Sequence, residues 1–244
     1  MLHFLTPAAK SRGTLKERWF CVPFSRRCGL AYFPAPLGCC WGRHLWWLLF
    51  WPVYWLRYPL IEHGRGDVQY APVYCPADDW IPFCEVFIIP YMLWMVLMVA
   101  ICLYTLCCDG ETFQRYSRFL VIAMSVSTVI FLLWPSCQEL RPEVFPRDNL
   151  LSRCVALLYS ADTNTNVFPS EHAIGAVAMW LAVRRARGLK ALRLRGPLCV
   201  MAVLTCVSTV FLKQHSLLDL LGAVPVCLIA WWFSFREPRA ARKV

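Results

Sequence analysis

The chain has 244 residues, of which 59% are hydrophobic and only 16% charged, with 12 Trp, 15 Phe and 9 Tyr. This composition lies far from soluble averages, and it excludes a disordered or nucleic-acid-binding tail, which needs few aromatics and low hydrophobicity. The formal net charge of +10 therefore belongs to a membrane protein. Several of the 14 Cys, among them Cys102, Cys199, Cys206 and Cys227, sit inside apolar runs; there a thiol packs as a small hydrophobe and a disulfide scaffold is not implied.

Residues 1–43 hold Lys10, Arg12, Lys16, Arg18, Arg26, Arg27 and Arg43 without the apolar stretch of a signal peptide, and read as a basic cytoplasmic tail. Apolar runs follow at about 44–61, 80–107, 119–137, 167–183, 197–212 and 216–235. Most approach the ~20 residues that a helix needs to cross the hydrocarbon core. The expected fold is an all-α, polytopic membrane protein with six transmembrane helices over 44–235 and a basic C-terminal tail at 236–244. The first run carries Pro52 and Arg57, and the fourth and fifth are short.

Orientation follows from the basic residues of the short loops. With both termini cytoplasmic, nineteen of the 25 Lys and Arg fall on the cytoplasmic side, including Arg115, Arg118 and the cluster from Arg184 to Arg195. The net charge is then a topology signal and an attraction to anionic headgroups.

Ionisable residues at membrane depth usually face a cavity. Three clusters fall on the extracytoplasmic side of this topology: Glu139 to Pro142 after the third run, Asn166 to His172 before the fourth, and Lys213 to Asp219 before the sixth. His215 and Asp219 are four residues apart, so on a helix they share a face, and the carboxylate can accept a proton from one imidazole nitrogen. The other nitrogen is then free to attack an electrophile. His172 sits at the start of the fourth run, where the helix N-terminus favours an anion. Arg141, Ser170 and Lys213 would supply further donors, so the three clusters together describe a phosphate site.

These residues resemble the type 2 phosphatidic acid phosphatases, a superfamily related to vanadium haloperoxidases. Its motifs are Lys-x6-Arg-Pro, Pro-Ser-Gly-His and Ser-Arg-x5-His-x3-Asp, matched here by Arg141-Pro142, by Pro169-Ser170-x-His172, and by Ser208 followed at the family spacing by His215 and Asp219. The resemblance covers roughly residues 80–235 and implies a six-span lipid-phosphatase core. It assigns the nucleophile to His215, its orientation to Asp219, protonation of the leaving group to His172, and phosphate binding to Arg141 and Ser170. Trp134, Thr209 and Glu171 stand where the family motifs carry lysine, arginine and glycine, and Lys213 is the candidate replacement for one cation. The Lys213-Gln-His215 triplet is similar to the branch that contains inositol phosphorylceramide and sphingomyelin synthases, where a lipid alcohol replaces water.

The activity so implied is hydrolysis of a lipid phosphate or diphosphate through a phosphohistidine. The alternatives are headgroup transfer at the same site, or a non-catalytic transporter or scaffold. Glu85 could balance Lys213 or touch a substrate hydroxyl; Asn166 could feed the site or cap the fourth helix; Cys75, Cys137 and Cys154 could pair. A lipid phosphate and the surrounding membrane lipids are the expected partners. No cofactor, metal, nucleotide or nucleic acid is implied, since no Walker, Rossmann or zinc-spaced pattern is evident.

Overall fold

A computed structural model describes residues 45–62, 64, 66 and 68–236, and the apolar runs within it are helical. A 3-10 turn, Leu45–Leu49, leads into α1, Phe50–Glu62. The chain then loops through a two-residue strand, β1 at Ala71–Pro72, and two further 3-10 turns, Pro76–Trp80 and Glu85–Phe87. Two long helices follow, α2 at Ile88–Cys108 and α3 at Gly110–Leu133, and then β2 at Ser136–Cys137, which pairs in parallel with β1. The remaining helices are α4 Leu150–Ala161, α5 Glu171–Arg185, α6 Arg187–Ala191, α7 Arg195–Phe211 and α8 Leu217–Ser234.

Among the described residues three helices are long and apolar enough to cross a membrane: Glu85–Cys108 with its leading turn, Gly110–Leu133 and Leu217–Ser234. The other expected spans are shorter, with 13 residues in α1, 15 in α5 and 17 in α7. Three of the six expected spans thus reach membrane length as single helices. Helix α1 takes Pro59 inside it, at the loss of one helical hydrogen bond, and continues to Glu62. The third run is displaced: its helix begins at Gly110, so Arg115 and Arg118 are helical and not in a loop. The Asp109 carboxylate caps that start by accepting from the Thr112 N–H, and Glu111 pairs with both Arg115 and Arg185, so a polar first turn is stable. Both α4, capped by Asn149, and α6 lie in segments read from sequence as loops. The tail at 1–43 and residues 237–244 lie outside the described residues.

Helix α5 runs through the middle of the bundle, packed by α2, α3, α7 and α8. Its Ala173, Gly175, Ala176, Ala178 and Ala182 are all buried, and such small residues let helix backbones approach closely. At Gly175 the approach is complete, since a Cβ there would lie 2.5 Å from the Trp94 ring. Outward faces are apolar, with Val96, Val99 and Leu103 of α2, Val203 of α7, and Leu221 and Leu228 of α8 all exposed. Contiguous apolar surface of this kind suits lipid.

Helices α5 and α8 begin at the same end of the bundle, because the Ser170 N–H donates to the Asp219 carbonyl at 3.0 Å. That end carries the histidines. The basic last turn of α5, with Arg184 and Arg185, lies a helix length away.

Candidate active site

Local geometry delivers both histidines. Ser170 caps α5 through its hydroxyl, which accepts from the Ala173 N–H at 3.3 Å, and so places His172 in the first turn. His215 comes from the reversal between α7 and α8, where Lys213 adopts a left-handed backbone at φ 52° and the N–H groups of Gln214 and His215 both donate to the Thr209 carbonyl. Asp219 is wholly buried, and its Oδ2 accepts from the Ser216 N–H at 2.9 Å and faces His215 Nδ1 at 3.1 Å. An ionised carboxylate can only accept, so a neutral His215 facing it carries its proton on Nδ1 and presents the Nε2 lone pair. Nε2 in turn lies 3.2 Å from His172 Nδ1. The His172 ring is held between Tyr91 and Trp94, with centroids at 4.7 and 4.6 Å.

The pair opens onto a polar cavity of about 90 Å³, whose walls include Arg57, Glu62, Asn166, Glu171 and Gln214. An apolar cavity of about 580 Å³ adjoins it, lined by α1 and α2 side chains such as Trp51, Trp55, Met95 and Met98. Arg57, Tyr58, Asp162, Glu171 and His172 line both. Asp162 accepts from the Tyr91 hydroxyl at 3.1 Å; its burial lifts the carboxyl above the ordinary range, against the opposing pull of His215, Tyr91 and Arg141.

The other expected site residues divide. Glu171 and Asn166 reach the polar cavity, each already engaged. Glu171 takes both guanidinium nitrogens of Arg57, at 2.9 and 2.8 Å, and the Tyr54 hydroxyl at 2.6 Å. Asn166, left-handed at φ 52°, donates to Glu62 at 2.6 Å, and Glu62 also accepts from Thr163 and Thr165. Arg141 gives its Nη groups to the carbonyls of Tyr159, Asp162 and Thr163 and to Oε1 of Gln214, while its Nε is buried without a partner. The Ser170 hydroxyl is buried in its capping role.

The structure does not bring Lys213 or Glu85 to the cavity. The Lys213 ammonium donates to the Asp78 carbonyl at 2.7 Å, and Glu85 is buried against Arg147 at 3.0 Å and Asn149 at 2.9 Å. Thus Glu85 neither balances Lys213 nor faces a substrate position. The left-handed turn aims Lys213 at the loop over it, and the lysine acts as a clip. Of the residues at the family's cation positions, Trp134 packs edge-on against Phe168 and Thr209 donates to the Cys206 carbonyl at 2.8 Å, so neither supplies charge. Cys75, Cys137 and Cys154 are free thiols.

Two contributors escaped the reading of the sequence. Arg57 looked like a flaw in an apolar run, yet it is the one guanidinium among the described cavity walls. Asp78 lay in an ordinary polar loop; its carboxylate accepts from Ser216 Oγ at 2.6 Å and from the Leu217 N–H at 2.9 Å, which straps the turn carrying His215. An ionisable residue inside an apolar run was the available signal for Arg57. Nothing local marks Asp78.

Residues 115–243 match the sequence profile of the PAP2 superfamily. No curated protein and no solved structure matched the chain. The matched stretch covers more than half of the 244 residues and contains His172, His215 and Asp219. With its apolar helices, it marks a membrane protein with phosphatase or related lipid-phosphate activity: the chain belongs to the PAP2 superfamily.

Proposed function

We propose that the protein hydrolyses a lipid phosphate or diphosphate through a phosphohistidine on His215. The observation that carries this reading is the Asp219, His215, His172 series, in which His215 lines the polar cavity and His172 lines both the polar and the apolar one. A phosphoryl group fits the polar side, and an acyl or prenyl chain suits the larger apolar one.

In the first step His215 Nε2 attacks phosphorus, the N–P bond forms and the P–O bond to the lipid breaks. Protonated His172 gives its proton to the leaving oxygen, which as a bare alkoxide would leave badly. Asp219 holds the tautomer and stabilises the positive charge that develops on His215. In the second step neutral His172 takes a proton from water, the water oxygen attacks phosphorus, the N–P bond breaks and phosphate departs. Because His172 Nδ1 and His215 Nε2 lie 3.2 Å apart, the phosphoryl group has to enter between them.

We place the site on the extracytoplasmic face with both termini cytoplasmic, on the Lys and Arg distribution. Labelling of single cysteines in sealed vesicles should find position 148 outside and position 187 inside; the reverse would move the site to the cytoplasmic face. The activity is tested with purified protein and a panel of phosphatidate, lysophosphatidate and polyprenyl diphosphate, with ceramide as an acceptor. Released phosphate is the expected result. Headgroup transfer to the lipid alcohol would replace hydrolysis by a phosphotransferase, and silence with every substrate would leave a transporter or scaffold.

A further inference from the structure

We propose that Gln214 is a phosphoryl-oxygen donor of this site and that Arg141 acts through it as a positioning residue. The proposal rests on the phosphatase reading above and names the group that replaces the family's missing cations. Gln214 is 3% exposed, precedes His215 and lines the polar cavity with both histidines. Its Oε1 accepts from Arg141 Nη2 at 2.6 Å. A guanidinium only donates, so this contact settles which end of the amide faces Arg141, and Nε2 is turned away from it. Nε2 is buried and has no hydrogen-bond partner.

Buried donors in native proteins nearly always have an acceptor, and one left open beside a nucleophile is suited to an oxygen that arrives with the substrate. The competing candidates are engaged or uncharged, although Arg57 Nε, like Gln214 Nε2, is buried without a partner. Lys213 is bound to the Asp78 carbonyl, Arg57 is paired with Glu171, and Thr209 and Trp134 carry no charge. Arg141 gives its Nη groups to three backbone carbonyls besides Gln214 and lines neither cavity, though its Nε is buried without a partner. Its contribution to phosphate binding therefore passes through the amide it holds. The backbone of Gln214 is fixed as well, by donation to the Thr209 carbonyl at 2.9 Å.

The test uses the full chain in detergent, with lipid-phosphate turnover and inhibition by orthovanadate, a mimic of the five-coordinate phosphorus, as paired readouts. Gln214→Met keeps the side-chain length and loses the donor, and should lower turnover about 100-fold while raising the vanadate concentration for half-inhibition at least tenfold. Gln214→Glu keeps the acceptor for Arg141, so it preserves the fold if the Met variant does not. It should lose vanadate sensitivity at least as strongly. Arg141→Met should resemble Gln214→Met, and the double variant should be no worse than the weaker single, because both remove the same contact. Multiplying effects would show Arg141 touching phosphate itself and overturn its positioning role. Unchanged turnover and vanadate inhibition in Gln214→Glu would overturn the proposal while leaving the phosphatase reading intact. A wild-type chain that neither turns over lipid phosphates nor responds to vanadate would overturn both.

Discussion

Several of the residues that hold the reactive ones in place come from a different part of the chain. His172, His215 and Asp219 lie within the stretch that matches the superfamily, residues 115–243. Beside the local contacts of Ser170, Thr209 and Ser216, five supports precede it: Arg57 and Tyr54 on Glu171, Tyr91 and Trp94 on His172, and Asp78 on the His215 turn. The reactive region is local, because a four-residue spacing and a helix cap generate most of its geometry. The supporting region acts across 78 residues of chain or more, against 43 between the two histidines, and each support reaches the site only once the helices have packed. A site can thus keep family chemistry while its walls are remade by a different segment.

The largest expected effect removes the chemistry itself. His215→Ala should abolish the labelled phosphoenzyme on rapid quenching and cut turnover about 10⁴-fold or more. His172→Ala should be nearly as inactive on a lipid phosphate, but should recover phosphorylation with an activated aryl phosphate, whose leaving group needs little protonation. A phosphoenzyme that persists in the His215 variant would reverse the two roles.

The contact between the regions at Arg57 and Glu171 can be broken next. Both side chains are largely buried, at 13% and 16% exposure. Glu171→Gly restores the family residue and strands the guanidinium, so unfolding in detergent should show a loss of about 3 kcal/mol. Adding Arg57→Met should recover much of it, whereas full additivity would mean that the pair is not the link between α1 and α5.

Asp78 offers a titration of the same kind of support. Burial works to raise its carboxyl, but hydrogen bonds from Leu217, Ser216 and Cys75 outweigh burial and leave it below its ordinary value. A depressed folded value means that the ionised form stabilises the fold at neutral pH, and that this share is lost as pH falls through the folded value. Asp78→Asn should lose about 2 kcal/mol at pH 7, and its stability should depend less on pH in the acid range than that of wild type. Parallel acid profiles would contradict this.

The smallest effect is expected at Gly175→Ala. The added methyl presses on Trp94, which packs on His172, so a stability loss of about 1 kcal/mol should come with a several-fold fall in turnover. Loss of stability without loss of turnover would show that Trp94 does not hold the His172 ring.

Legibility in the sequence followed the range over which each feature is determined. The four-residue spacing of His215 and Asp219 was readable, but the two do not share a helix face: His215 stands in the turn before α8, and Asp219 in the first turn of that helix reaches back to it. Helix α8 at Leu217–Ser234 lies close to its apolar run. Helix α3 was misplaced by nine residues because hydropathy does not register an N-cap and ion pairs that admit Glu111, Arg115 and Arg118 into a helix. Lys213 was read by charge type, but its direction depends on one left-handed residue and a carbonyl 135 positions away. Gln214 carried no charge to attract notice, and its open donor is visible only beside Arg141.

The shared wall of the two cavities has a consequence for what happens after the bond breaks. On the proposed chemistry the freed alcohol is oil-soluble and stays with the apolar cavity of about 580 Å³, while inorganic phosphate is left in the polar one. Each product then departs into its own phase, the lipid sideways into the bilayer and the anion into water. Reversal would require both to return to opposite sides of His172 at once, and dilution of phosphate into the aqueous compartment makes that rare. On the proposed chemistry the border between the cavities would work as a one-way valve, driven by partitioning with no moving part.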